Sequence, residues 1–291
     1  MRNDHMPADF PKSLTATMPD NTVMIYYPEQ SPPQPSGLNL RADLDVVSPG
    51  PLTTAGKCKI WGNIPSTSKY GNGLWAPDNP PVLYDADPQG KYFSILAGGG
   101  KTGSNCLRLY YPAGEVGEQS KFYQIICGPL NATVNFEFDM LFEEGFNWWT
   151  DVGKVGPLIG WGGRSGADGG LTIFCIWQSG TSQSKGFCPI IQNQQNPSEW
   201  GSNFITPAIY TKKFVANKWY NWRWQLRCDG TAGSVKVWLD GDDLGAQVPD
   251  GFGNTSISDN IMLEHGFWHG GGSAPNTDGW IRQDNLHFWI E

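Results

Sequence analysis

A chain of 291 residues with 28 acidic against 20 basic side chains carries a formal charge of −8, which argues against a general nucleic-acid or anionic-membrane binder, because such proteins need a basic surface. Hydrophobic residues make up 39% and charged residues only 16%, so one large β-type domain or two small ones can bury a sizeable core. Glycine (37) and proline (22) suit many turns rather than long helices, and the fourteen tryptophans fit either an aromatic-rich β core or a sugar-binding cleft.

No apolar run approaches the roughly 18 residues of a membrane span. The start, Met1 to Pro7, lacks the apolar segment of a signal peptide. That leaves a cytosolic protein, a viral one or a mature form whose leader was trimmed, and an extracellular or virion-surface place is favoured over a cytoplasmic one. The six cysteines at 58, 106, 127, 175, 188 and 228 contain no C-x-x-C pair, so buried reduced thiols are expected and no metal site or cofactor is.

Residues 1–50 include Pro28-Glu29-Gln30-Ser31-Pro32-Pro33-Gln34-Pro35, which cannot form a helix or a central strand. They read as an extended arm that packs on its own domain or on a neighbouring subunit, which points to assembly. Residues 51–291 read as one domain of strands and turns. Cys106 to Tyr111 alternates and then turns at Pro112-Ala113-Gly114. Val134, Phe136, Phe138 and Met140 face one way, with Asn135, Glu137 and Asp139 facing the other. Leu171 to Gln178 reads as an almost wholly apolar strand covered on both sides. In Trp219 to Cys228, Tyr220, Trp222, Trp224 and Leu226 share a face opposite Asn221, Arg223, Gln225 and Arg227.

Ser234 to Leu239 closes at the turn Asp240-Gly241-Asp242-Asp243, and strands at Ile261 to His269 and Gln283 to Ile290 complete the set. No amphipathic helix and no internal repeat is evident. The predicted fold is all-β, a two-sheet jelly-roll sandwich with a proline-rich N-terminal arm.

Several constellations carry no chemistry. Gly98 to Ser104 lacks the Walker spacing and a following helix, and reads as a plain turn. Glu143-Glu144 opens a turn and is expected to be solvated. His265 and His269 share a strand face about 13 Å apart, too far to ligate one metal. Glu137 and Asp139 lie about 6.5–7 Å apart on a polar face and do not mark a glycosidase pair.

The run Phe136 to Trp161, with Gly153-Lys154-Val155-Gly156-Pro157-Leu158 at its centre, resembles the signature of family-14 polysaccharide lyases, the alginate and polyuronate lyases. Leu107 to Gly114 resembles the family's first strand. Lys218-Trp219-Tyr220, Val237 to Gly241, Phe267-Trp268 with Gly271-Gly272-Ser273, and Asp284 to Phe288 follow in the family's order. The resemblance spans about residues 105 to 291.

The resemblance implies a concave sheet gripping an acidic glycan and cleavage by β-elimination, without a cofactor. A base takes the C5 proton, an acid protonates the leaving oxygen, and a cation neutralises the uronate carboxylate. Lys154 matches the family's lysine and takes that electrostatic role. The strand that follows departs from the pattern. Thr172 stands for the serine, Phe174 for the internal arginine and Gln178 for the last arginine, while Gly186-Phe187-Cys188-Pro189 lacks the expected tyrosines.

Tyr210, Tyr123, His265 and His269 are the candidate substitutes for the acid and base. Trp148, Trp149 and Trp161, with Gln178 and Arg223, are the candidate sugar-binding residues. Two functions compete: a lyase-like module that has lost catalysis but binds acidic polysaccharide or serves an assembly such as a virion, and an active polyuronate lyase using Lys154 and a substituted base.

Overall fold

The computed structural model describes residues 14–17, 23–26, 39–57, 59–61, 84–85, 87–115, 117–127, 133–146, 152–161, 171–178, 187–193, 202–203, 214–228, 233–247, 260–270, 274 and 276–291. The described chain opens with β1 (Leu14–Thr17), β2 (Val23–Tyr26), β3 (Asn39–Arg41) and β4 (Gly50–Pro51). A single helical turn α1 (Thr54–Lys57) follows, then β5 (Tyr84–Asp85) and β6 (Phe93–Leu96). Longer strands come next: β7 (Cys106–Tyr111), β8 (Gly117–Cys127), β9 (Thr133–Phe142), β10 (Val152–Trp161), β11 (Leu171–Gln178) and β12 (Phe187–Asn193). The rest are β13 (Ser202–Asn203), β14 (Trp219–Cys228), β15 (Gly233–Leu239), β16 (Asp242–Gln247), β17 (Asn260–Gly270) and β18 (Gly279–Ile290).

These strands build two antiparallel sheets besides the β1–β2 hairpin. The smaller runs β13-β12-β11-β10-β17-β8-β5, and the larger runs β16-β15-β14-β9-β18-β7-β6-β4 with β3 added on β18. The chain changes sheet between β4 and β5, β5 and β6, β7 and β8, β8 and β9, β9 and β10, β13 and β14, β16 and β17, and β17 and β18. Such repeated crossing is the all-β sandwich arrangement that the alternating strands predict.

Alternation explains the larger sheet. Val134, Phe136, Phe138, Met140 and Phe142 of β9 are buried, as are Tyr220, Trp222, Trp224 and Leu226 of β14. The two strands lie side by side with Phe138 opposite Trp222 and Phe136 opposite Trp224. Phe138 also meets Trp224 edge to face at 5.1 Å, and each such buried aromatic contributes about 1.5–3 kcal/mol. Leu40, Leu44, Val47, Leu52, Ile60 and Trp61 join the same core, so the chain from Asn39 onward packs on the sheet. The rest of residues 1–50 is described only as the β1–β2 hairpin.

The expected turn between β15 and β16 is present: Asp240 and Gly241 have φ of 51° and 84°, the left-handed pair of a two-residue hairpin. Asn285, with φ of 52°, sits in the register shift of β18 between Asp284 and His287.

One sequence expectation needs correction. Glu143 is not solvated, because Arg108 and Arg282 are direct cross-strand partners and their adjacent positive charges converge on its carboxylate at 2.6–2.8 Å. Only Glu144 of that pair is exposed. The glycine-containing run around Lys154, Gly153 to Trp161, lies within the strand β10 and pairs with β11 and β17. Pro157 is tolerated because the β10–β11 register is interrupted between Val155 and Ile159, where no ladder bond is required of it.

Candidate functional site

In antiparallel pairs, directly opposed residues share a face of the sheet, and alternate residues along a strand change face. Lys154 of β10 opposes Trp268 on one side and Ile176 on the other. Trp268 in turn opposes Glu118, and Ile176 opposes Cys188. One row of the smaller sheet therefore reads Glu118, Trp268, Lys154, Ile176, Cys188. The neighbouring row holds Val152, Gly270 and Gln178, which places Gln178 diagonal to Lys154. On the other side of Lys154, Gly266 opposes Lys121.

Continued over the sheet, the same face includes Tyr84, Tyr123, Glu264, Met262, Thr172 and Gln192. The alternate face includes Phe122, Ile126, Ile261, Leu263, Phe267, Val155, Ile159 and Trp161. It continues through Leu171, Ile173, Cys175, Trp177, Phe187 and Ile191. The second face is the richer in large apolar residues, although Ser120, Gln124, His265, His269 and Asn193 belong to it and Ile125, Leu158, Phe174, Ile176 and Ile190 belong to the Lys154 face.

The candidates separate on this map. Lys154 and Gln178 come together. Thr172 shares their face but stands four positions along β11 from Ile176, the residue opposite Lys154, or about 13 Å by strand rise. His269 opposes Gly153 and His265 opposes Phe122, so both histidines belong to the second face with Trp161. Tyr123 is on the Lys154 face but opposes Glu264, four positions along β17 from Trp268. Trp148, Trp149 and Tyr210 lie outside the described residues.

Arg223 belongs to the other sheet. Its guanidinium lies 4.7 Å from the ring of Trp238 and 5.2 Å from that of Trp289, which stacks on His287 at 4.4 Å. Beneath it the fully buried Asn135 accepts a hydrogen bond from Gln225 at 3.0 Å. Burial holds the His287 imidazole below its ordinary pKa, Arg41 and Arg223 adding to the effect and Glu137 opposing it. His287 also meets Asn39 Oδ1 at 2.8 Å, tying β3 to the sheet. This ladder of cations and rings is a feature of the larger sheet and adds nothing to the Lys154 row.

Sequence reasoning did not single out Trp268, Glu118 or Lys121. Their proximity to Lys154 depends on pairing among β8, β10 and β17, which are not consecutive strands. No such pairing is written in local periodicity. Among the described residues, no cluster of histidine, cysteine or carboxylate side chains is arranged to hold a metal ion, and no helix is long and apolar enough to cross a membrane.

This architecture is an all-β, jelly-roll-like fold similar to that of solved alginate lyase structures. The chain is similar in structure to alginate lyase Aly36B, with a TM-score of 0.59 and 15% identity over 86% of this chain and 96% of that one. A doubly substituted Aly36B in complex with an alginate tetrasaccharide aligns equally well, at a TM-score of 0.59. The endo-β-1,4-glucuronan lyase from the fungus Trichoderma reesei aligns with a TM-score of 0.47 and 12% identity over 71% of this chain and 90% of that one. No family model matches the chain, and no curated protein matches it.

Proposed function

We propose that this chain binds an acidic polysaccharide of the polyuronate class across the Lys154 face of the smaller sheet, without cleaving it. The observation that carries the reading is the register that gathers Lys154, Lys121, Gln178, Thr172 and Gln192 on one face of that sheet, the face with fewer large apolar residues. A cation in the middle of that sheet suits a uronate carboxylate, and Gln178, diagonal to it in the register, supplies a neutral hydrogen-bonding group.

Elimination needs a group that takes the C5 proton close to the lysine. Among the described residues, the neighbours of Lys154 on its face are Trp268, Ile176, Val152, Gly156, Phe174, Gln178 and Gly266, none of which exchanges a proton near neutral pH. The histidines that were candidates for that work fall on the opposite face. This supports recognition over catalysis. The similarity in fold to alginate lyase Aly36B supports the class of ligand.

Calorimetric titration with alginate and glucuronan oligosaccharides tests the proposal, with the ultraviolet absorbance of unsaturated uronate followed in the same samples. The expected result is saturable binding that weakens with salt, a flat absorbance trace, and markedly weaker binding in Lys154→Ala. Rising absorbance that Lys154→Ala abolishes would make the chain an active lyase and overturn the non-catalytic part. Neither binding nor absorbance change would overturn the whole reading and leave the fold to an assembly role.

A further inference from the structure

Along β17 the positions on the Lys154 face run Gly266, Trp268, Gly270. Across the strand gap Lys154 opposes Trp268 directly, and the unshifted β10–β17 register sets Gly156 against Gly266. The tryptophan position is thus flanked by glycine on both sides of its own strand and by glycine diagonally on β10. Glycine inside a strand costs stability and marks close approach by a ligand or another backbone.

We infer that Trp268 and Lys154 form one uronate subsite, the indole serving as the stacking platform for the pyranose ring and the lysine as the counter-charge for its carboxylate. This rests on the polyuronate-binding reading and names the residue that sets ring recognition within it. Cross-strand partners have Cβ atoms about 4.5–5.5 Å apart, comparable to the width of one sugar ring, so a single residue of the glycan spans both groups. The indole contacts the apolar face that any pyranose presents, whereas the ammonium distinguishes a uronate from a neutral sugar. The division of labour predicts different losses for the two substitutions.

The test compares binding of a polyuronate and of the same polymer with its carboxyls reduced to alcohols, using Trp268→Ala, Trp268→Phe and Lys154→Ala. Thermal melting of each variant serves as the folding control. Trp268→Ala is expected to weaken binding of both polymers by about tenfold, as the loss of one stacking contact implies. Lys154→Ala is expected to abolish the preference for the charged polymer while retaining weak binding to the reduced one.

A folded Trp268→Ala that binds both polymers as well as wild type overturns the inference and leaves the polyuronate reading standing. If Trp268→Ala does not fold, Trp268→Phe decides: a loss of about threefold on both polymers supports the subsite, and unchanged binding overturns it. Wild-type protein that binds neither polymer removes the inference together with the reading beneath it.

Discussion

The ammonium of Lys101, carried on a surface turn, lies 2.7 Å from Oδ1 of Asp139 in the middle of the larger sheet. Asp139 is almost fully buried and also accepts from Asn285 at 2.7 Å and Asn221 at 3.2 Å. The turn is fixed by a second carboxylate, since the Lys101 amide donates to Asp284 Oδ2 at 2.8 Å. The loop that looked in sequence like a plain turn is therefore clamped to the sheet by two aspartates.

Replacing Lys101 by Met leaves Asp139 short of its cationic partner in a nearly dry place. Because Lys101 itself is partly exposed, the expected loss is about 1–2 kcal/mol, below the value for a fully buried pair. Urea denaturation measures it. Asp139→Asn combined with Lys101→Met should cost less than the sum of the two single changes, because the uncompensated charge is gone. Strict additivity would contradict the pairing.

Glu143 supplies the acid-sensitive element. Burial alone would raise its pKa, but hydrogen bonds and charge from Arg108 and Arg282 outweigh it and hold the carboxyl below its ordinary 4.5. A depressed carboxylate stabilises the fold fully above the unfolded value and loses that contribution as pH falls through the folded one. Melting temperature should therefore drop as pH falls below about 4.5. Glu143→Gln should melt lower at neutral pH yet lose less on acidification. An identical acid slope in the variant would count against this assignment.

Cys106 is buried, and burial is the main cause pushing its thiol up to about 12. Arg282 and Arg108 pull against that rise, while Asp284 and Glu143 add to it. Alkylation with iodoacetamide at mildly alkaline pH, followed by peptide mapping, should leave Cys106 unmodified in the native protein and label it fully in denaturant. Rapid native labelling would show that the strand opens readily or that the thiol is not enclosed.

Glu118 stands beyond Trp268 in the Lys154 row, two strands or about 10 Å from the lysine. Its position beside the register shift of β8 puts a negative charge near the path of a polyanion. Glu118→Gln should strengthen polyuronate binding by about two- to fivefold at low ionic strength, and the gain should vanish in molar salt. Titrations at two salt concentrations check it. Weaker binding in the variant would assign the carboxylate a direct role in holding the sugar.

The larger sheet was legible in sequence because one of its faces is dry. Phe136, Phe138 and Met140 alternate with Asn135, Glu137 and Asp139 so regularly that the apolar face of β9 is plain, whereas the burial of Asn135 and Asp139 on the other face is not written in that pattern. Glu143 was not legible, since its partners Arg108 and Arg282 are 35 and 139 residues away in the chain. For β10, glycine and proline hid the strand, and pairing with β17 rather than local pattern makes it central.

The site suffered from the same limit. That His265 and His269 share a face follows from spacing within one strand. That they lie on the face opposite Lys154 requires the register of β10 with β17. Thr172 follows Lys154 closely in the chain, yet antiparallel pairing carries it to Gly160 and away from the lysine. Trp268 arrives beside Lys154 from 114 positions later by the same rule.

Amide hydrogen exchange with and without a saturating alginate or glucuronan oligosaccharide tests most directly which sheet meets the glycan. Protection is expected in β10, β11 and β17, around Lys154, Gln178 and Trp268, with β9, β14 and β18 unchanged. Protection confined to β14 and β18, around Arg223, Trp238 and Trp289, would contradict the account and move the binding surface to the larger sheet.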